Sequence, residues 1–487
     1  EGSTVAKHLT ILMLALLTAC SSDRDSVTML ATRLAHQDSV GLSKEYRDGY
    51  IPSGVKTLSK VPSKKIDAAL EASDPRQAVA RSIVIEADDL LVTGRIVTLN
   101  GRLVVIALGK AAVTMAQGAT DALGERIDAG IAITKDGHAG SVSLDRFDIF
   151  EARHPIPDER GVAATRRAIE LAESCGEGDV VLALISGGGS ALFEAPRSPV
   201  TLDDLAGVTD LLLKAGAPIE DLNAARTPLS MVKGGGLLRL ASPATVVTLI
   251  LSDVLGNDPA VIASGPTVPG GASNAGSRAV LERYRLWDRV PASIRTALGE
   301  PERTSGRADA GIIEIIADND QAVAAASREA RRQGLAPETI WHERTGEARE
   351  QAIAWVDACE RADASVECLF GGGELTVTVT GDGIGGRNTE FVLAAAIELD
   401  RRGIDDWVIT SLATDGQDGP TDVAGGIADR TLVARARAAG IDPVASLDRN
   451  DSLAALRSGG RLVEPGPTGT NVNDLYIAVR TIQSVDC

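Results

Sequence analysis

The stretch 180–196, VVLALISGGGSALFEAP, constrains this chain more than any other. The six apolar residues from Val180 to Ile185 predict a short strand buried on both faces. A glycine triplet then turns the chain at once, at the carboxyl edge of the sheet, where open α/β folds hold their ligands. Ser186, Gly187, Gly188, Gly189 and Ser190 read as a backbone cradle for phosphate, because glycines let successive N–H groups face one concavity. A strand-to-helix turn with no ligand produces the same string, so the other loops have to decide.

Those loops recur along 487 residues, too long a chain for one core, and the 44% hydrophobic content can fill two. Strands are expected at 102–108, 129–134, 147–151, 180–185 and 246–251, with helices at 66–72, 78–87, 161–174 and 203–215. Such alternation predicts parallel strands with crossover helices. Polar and proline-rich sequence between 283 and 310 suggests a boundary. Beyond it we expect strands at 312–317, 375–380, 407–412 and 475–479 and helices at 321–333, 348–361 and 389–401. The fold class is α/β in two domains: a Rossmann-like parallel sheet with flanking helices over 63–300, and a second α/β domain over 308–487. The active site is expected in the cleft between them.

A formal charge of −18 with scattered basic residues argues against a nucleic-acid partner, and 3% aromatic content removes the usual stacking platforms. Five cysteines with no C-x-x-C pair, and five histidines with no H-E-x-x-H, suggest neither a disulfide framework nor a zinc site. Residues 1–62 read as a leader-like or poorly structured extension. Within them Lys7 and His8 precede LTILMLALLTAC, a lipoprotein-type export pattern ending at Cys20.

Chemistry concentrates after the strands. Lys110 stands in a GKAA turn, aimed at a phosphate or simply solvated. Arg226 and Lys233 lie in NAARTPLSMVKGGG. Asp253 and Asp258, in SDVLGND, can hold magnesium through one carboxylate and waters, or cap the next turn. The string GDGIGG at 381–386 matches G-x-G-x-x-G and favours a dinucleotide, although the residues before it alternate instead of forming a continuous apolar strand. Arg387 and Asn388 follow as an anion grip at a helix start. Asp415 opens an acidic loop, TDGQDGPTD, and Asn471 lies in TGTNVND. His154, in RHPIPDERG, either lines a site or bonds to backbone.

Taken together, SGGGSALFEAP, GKAA, LSDVLGNDPAVIASGPT, GGRNTEF, TDGQDGPTD and TGTNVND resemble the glycerate 2-kinase family with its carboxy-terminal MOFRL domain, over about 65–479. The resemblance implies transfer of phosphate from ATP, with a divalent ion such as Mg2+, to the 2-hydroxyl of D-glycerate in the cytoplasm. It makes Lys110 and Arg387 the principal catalytic cations. Ser186, Gly187, Gly188, Gly189, Ser190 and Lys233 would then hold nucleotide phosphates, Arg226, Asn388 and Asn471 the substrate, and Asp253, Asp258 and Asp415 the metal. Thr227 and Pro228 depart from the family, which usually has a basic residue and a histidine there. The expected partners are small molecules, with no membrane unless the leader is real, in a monomer or homodimer. The alternatives are an NAD(P)H-dependent hydroxypyruvate reductase, resting on 381–386, and a non-catalytic exported lipoprotein, resting on 7–20.

Overall fold

Apolar runs of six or seven residues set the centre of the first sheet. The computed structural model describes residues 63–270, 273–301, 310–459 and 462–481, so the expected extension and its leader lie outside the described residues. Among these, a small antiparallel sheet comes first: β1 (Ile83–Glu86), β2 (Asp89–Val92) and β3 (Arg95–Val97). The helix expected over 78–87 therefore stops at Ser82, and the β-branched run IVIE leaves it for the hairpin.

The strands β4 (Leu103–Leu108), β5 (Ala129–Lys135), β6 (Phe147–Ala152), β7 (Val180–Ile185), β8 (Thr245–Leu251) and β9 (Ala310–Ala317) form a parallel sheet in the order β6-β5-β4-β7-β8-β9. In β4, Leu103, Val105 and Ala107 enter one core while Val104, Ile106 and Leu108 enter the other. This two-faced burial is why the strand reads as one unbroken apolar run.

One boundary needs correction. The strand expected to open the second domain is β9, and it pairs in parallel with β8 as the edge of the first sheet. Ile312 and Ile316 pack into one core and Ile313 and Ile315 against the other. Only a neighbouring strand could satisfy the backbone of a segment apolar on both sides.

The second sheet contains β10 (Pro337–Arg344), β11 (Cys368–Gly373), β12 (Trp407–Ala413), β13 (Gly425–Ala428), β14 (Leu462–Val463) and β15 (Asp474–Arg480), in the order β10-β11-β15-β12-β13-β14. Here β15 runs antiparallel between β11 and β12, and Asp474 stands opposite both Gly373 and Ala413. The strand expected at 375–380 is absent from the sheet. Its N–H groups find acceptors outside the sheet instead: Thr376 N donates to the Gly346 carbonyl (2.9 Å), Thr378 N to Glu347 (3.0 Å) and Thr380 N to Asn450 Oδ1 (2.9 Å).

Hydrogen bonds tie the two sheets' loops together. Asn319 Nδ2, after β9, donates to the carbonyls of Val472 (2.7 Å) and Asp474 (2.9 Å). Thr470 Oγ1 donates to the Ser73 carbonyl (2.6 Å), so the 470–474 loop reaches back to the start of the first domain.

Candidate active site

Strand register decides what meets at the cleft. Leu108 pairs with Ile185, and Ile185 with Ile250, so the loops after β4, β7 and β8 emerge side by side. They are pinned to one another. Lys110 N donates to the Gly187 carbonyl (2.8 Å), and the Ser186 hydroxyl accepts from Ala111 N (3.0 Å) while donating to the Leu108 carbonyl (3.2 Å). The Ser186 side chain is therefore a buried brace between strand ends.

Beyond that brace, the backbone amides of Gly187, Gly188, Gly189 and Ser190 find no acceptor among the described residues, and neither does the Lys110 ammonium. Ser190 Oγ is bonded to Ser264 Oγ at 2.8 Å. A run of free amides beside a free ammonium makes a concave anion site without an acidic neighbour in the loop itself.

The acidic groups approach from the next strands. Asp253, two residues past β8, lies so close to the loop that a Cβ on Gly187 would stand 1.9 Å from its Oδ2. Asn471 Nδ2 reaches the same oxygen at 3.4 Å. Burial pushes the Asp253 carboxyl up; Lys110 pulls it down, and Glu374 and Asp415 push it up further. Loops of both sheets thus share one electrostatic field around Asp253. Gly187→Ala is expected to displace either the loop or Asp253 and to lower kcat/KM about a hundredfold. Steady-state kinetics checks this, with an unchanged melting temperature showing that the fold survives.

Arg387 opens the helix Arg387–Arg402 and is linked to this field through Glu374. Its Nε and Nη2 donate to the two oxygens of Asp474 (2.6 and 3.1 Å), and its Nη1 donates to Glu374 (2.8 Å). The Tyr476 hydroxyl donates to Asp474 as well, at 3.3 Å. Burial alone would lower the guanidinium's pKa, but Asp474 and Glu374 outweigh it and hold the charge. Asp474 is wholly buried and Arg387 is 30% exposed, so the fork is fixed from behind and open in front.

Several expected ligands have other employment. Asn388 is 0% exposed; its Nδ2 donates to Asp418 (3.2 Å) and its Oδ1 accepts from the Ser411 hydroxyl. It is a structural residue, not a substrate ligand. Asp418 also takes the amides of Asn388 (2.9 Å) and Thr389 (2.7 Å), which makes it the cap of Arg387's helix.

Lys233 is corrected in the same way. Its side chain is 1% exposed and paired at 2.5 Å with Glu194, itself 2% exposed, so it does not face a nucleotide. Burial lowers the lysine's pKa, Glu194 opposes this, and Arg226 adds to it, which puts Arg226 beside this inner pair. Arg226 ends the helix Ile219–Arg226, and the departing residues Thr227 and Pro228 form the 3-10 turn after it. Lys233→Met is expected to cost ~3–5 kcal/mol of stability by stranding the Glu194 carboxylate. Denaturant melts of Lys233→Met and of Lys233→Met with Glu194→Gln would test this, with the double variant the more stable.

Asp258 is exposed and accepts from Ala260 N (2.9 Å), capping its own turn. Asp415 accepts from Gln417 N (3.0 Å) and remains in the field of Asp253. Two residues of the site were missed in the sequence, Glu374 and Asp474. Glu374 immediately precedes the stretch expected as a strand at 375–380 and Asp474 closes TGTNVND, but only the pairing of β11 with β15 brings them together.

The 381–386 string lacks the context a dinucleotide fingerprint needs. No strand leads into it, and Gly381 N and Gly383 N donate to Asn450 Oδ1 (3.0 Å) and the Arg449 carbonyl (2.9 Å) instead of facing a ligand.

The chain's similarities agree with this geometry. Residues 62–299 match a domain of unknown function, DUF4147, and residues 367–474 match the MOFRL family. A D-glycerate 2-kinase of Thermotoga maritima is 41% identical over 410 residues, covering 83% of this chain and 97% of its own. A relative from Agrobacterium vitis with a provisional hydroxypyruvate reductase name is 40% identical over 420 residues, covering 84% of this chain and 91% of its own. The crystal structure of a glycerate kinase from Thermotoga maritima superposes with a TM-score of 0.77 at 39% identity, over 86% of this chain and 98% of that one. With a DUF4147 match followed by a MOFRL match, and 41% identity to a D-glycerate 2-kinase over 97% of its length, the chain belongs to the glycerate 2-kinase family.

Proposed function

We propose that this chain transfers the γ-phosphoryl group of ATP to the 2-hydroxyl of D-glycerate, giving 2-phosphoglycerate and ADP. The observation that carries the reading is the run of free amides at 187–190 beside the free Lys110 ammonium, with Asp253 packed against the same loop. Phosphoryl transfer spreads negative charge over the equatorial oxygens and asks for placed cations and donors more than for a strong base.

In this reading the 187–190 amides hold the phosphate chain, and Lys110 and Arg387 approach the transferred group from the two domains. Asn471, tied to Asp253, lines the same cleft. Arg387 cannot swing away, since Asp474 and Glu374 hold its fork.

The acidic set fits magnesium. Burial pushes the Asp253 carboxyl up and Glu374 and Asp415 add to it, a crowding of negative charge that a divalent cation would relieve. Magnesium keeps several waters and binds through one or two carboxylates and substrate phosphates, so two carboxylates suffice. Asp253 and Asp415 would hold it, and when bound it neutralises charge on the phosphate oxygens.

The reductase reading has no support in the 381–386 loop. The test is ADP release from ATP by the purified chain. It is expected to require D-glycerate and Mg2+ and to stop with chelator, while hydroxypyruvate with NADH or NADPH gives no loss of absorbance. Nicotinamide oxidation without ATP would reject the proposal. The described residues include no helix long and apolar enough to cross a membrane.

A further inference from the structure

His154 follows β6 by two residues, at the same carboxyl edge as Lys110 and the 187–190 loop. Gly188 (φ +83°) lies against it: a Cβ there would stand 3.1 Å from the ring's Cδ2, 3.2 Å from Nε2 and 3.2 Å from Lys110 Cγ. The Nε2 edge of the imidazole and the Lys110 stem therefore flank one glycine of the free-amide run.

The ring is half-buried, and neither nitrogen has a hydrogen-bond partner among the described residues. Its charged neighbours are all basic. Burial first, then Lys110, Lys135 and His138, push its pKa down to about 4, and no carboxylate offsets them. His138, by contrast, bonds to the Lys110 carbonyl (3.2 Å) and has Glu151 nearby. A half-buried polar ring without a partner, among cations, costs free energy that a bound anion would recover.

We propose that His154 is a phosphate ligand of the nucleotide, its Nε2 edge donating to an oxygen of the phosphate chain that the 187–190 amides hold and Lys110 faces. The proposal rests on the kinase reading above and adds a residue to it. The shared chemistry is an anionic oxygen, which glycerate's carboxylate also offers. The nucleotide is favoured because the ring lies against the glycine loop itself.

The test uses the full chain, with ADP as probe. His154→Leu is expected to raise the ADP dissociation constant and the KM for ATP about tenfold or more. The KM for D-glycerate should hold, and His154→Gln, which can still donate, should recover most of the loss. Calorimetry of ADP binding near about pH 6 in two buffers of different ionisation enthalpy should show more protons taken up by the wild-type chain than by His154→Gln, as the phosphate's charge offsets Lys110, Lys135 and His138. The proton that ADP's own terminal phosphate releases is common to both, so the difference isolates the imidazole, a result loss of packing would not produce. An unchanged ADP affinity in folded His154→Leu, a KM effect confined to D-glycerate, or the same proton balance in wild type and His154→Gln would each overturn the assignment. A wild-type chain that binds no ADP would instead overturn the kinase reading, and this assignment with it.

Discussion

Lys110→Ala is expected to lower kcat about a hundred- to a thousandfold while leaving the melting temperature nearly where it was. The asymmetry follows from what the side chain touches. The Lys110 backbone is committed, with its N–H on Gly187 and its carbonyl accepting from Thr134 Oγ1 at 3.1 Å, but alanine keeps both bonds. The ammonium has no partner to strand among the described residues, so removing it takes charge from the cleft and little from the fold. Paired kinetics and thermal melts check this. A large fall in stability would mean that the lysine is structural and that the cation facing the phosphate lies elsewhere.

Arg387→Ala should behave differently. It removes the cation expected to stabilise the transferred group, an effect of about a thousandfold or more on kcat. It also leaves the fully buried Asp474 carboxylate without its bidentate partner, at a cost of ~3–5 kcal/mol. Burial already pushes Asp474 up to about 6 with the guanidinium in place. Adding Asp474→Asn to Arg387→Ala should return part of the stability, because the amide needs no counter-charge, and none of the activity. Arg387→Lys keeps a charge but cannot reproduce the fork to Asp474 and Glu374, so it should remain well below the wild type in both respects. Recovery of activity by the double variant would show that Arg387 supports the cleft without acting on the phosphoryl group.

The contrast between these cations reflects how each domain presents its loops. The first sheet was legible in the sequence because its central strands are buried on both faces, so β4 and β7 appear as unbroken apolar runs with their glycine turns attached. The place of β9 was not legible, because distance along the chain does not give distance in space. Its apolar residues say that it is buried on two sides, and nothing local says beside which strand.

Motif residues divided in the same way. Lys110, Asp253 and the 187–190 loop lie directly after strands whose register brings their loops together, and Asp415, after β12 of the other sheet, acts on Asp253 electrostatically. Asn388 and Lys233 have the right chemistry and stand beside glycines, but helix capping by Asp418 and ion pairing with Glu194 take them into the interior. A sequence shows a polar group without showing which other polar group has claimed it. Glu374 and Asp474 were hidden for the converse reason, since their role as holders of Arg387 exists only through the antiparallel pairing of β11 with β15.

The most direct test of the account is the identity of the product. The purified chain is incubated with ATP, Mg2+ and D-glycerate, and the phosphorus NMR spectrum is compared with 2- and 3-phosphoglycerate standards. The expected product is 2-phosphoglycerate, formed in step with ADP and lost in Lys110→Ala. Formation of 3-phosphoglycerate, or no phosphorylated product from chain shown to be folded, would contradict it.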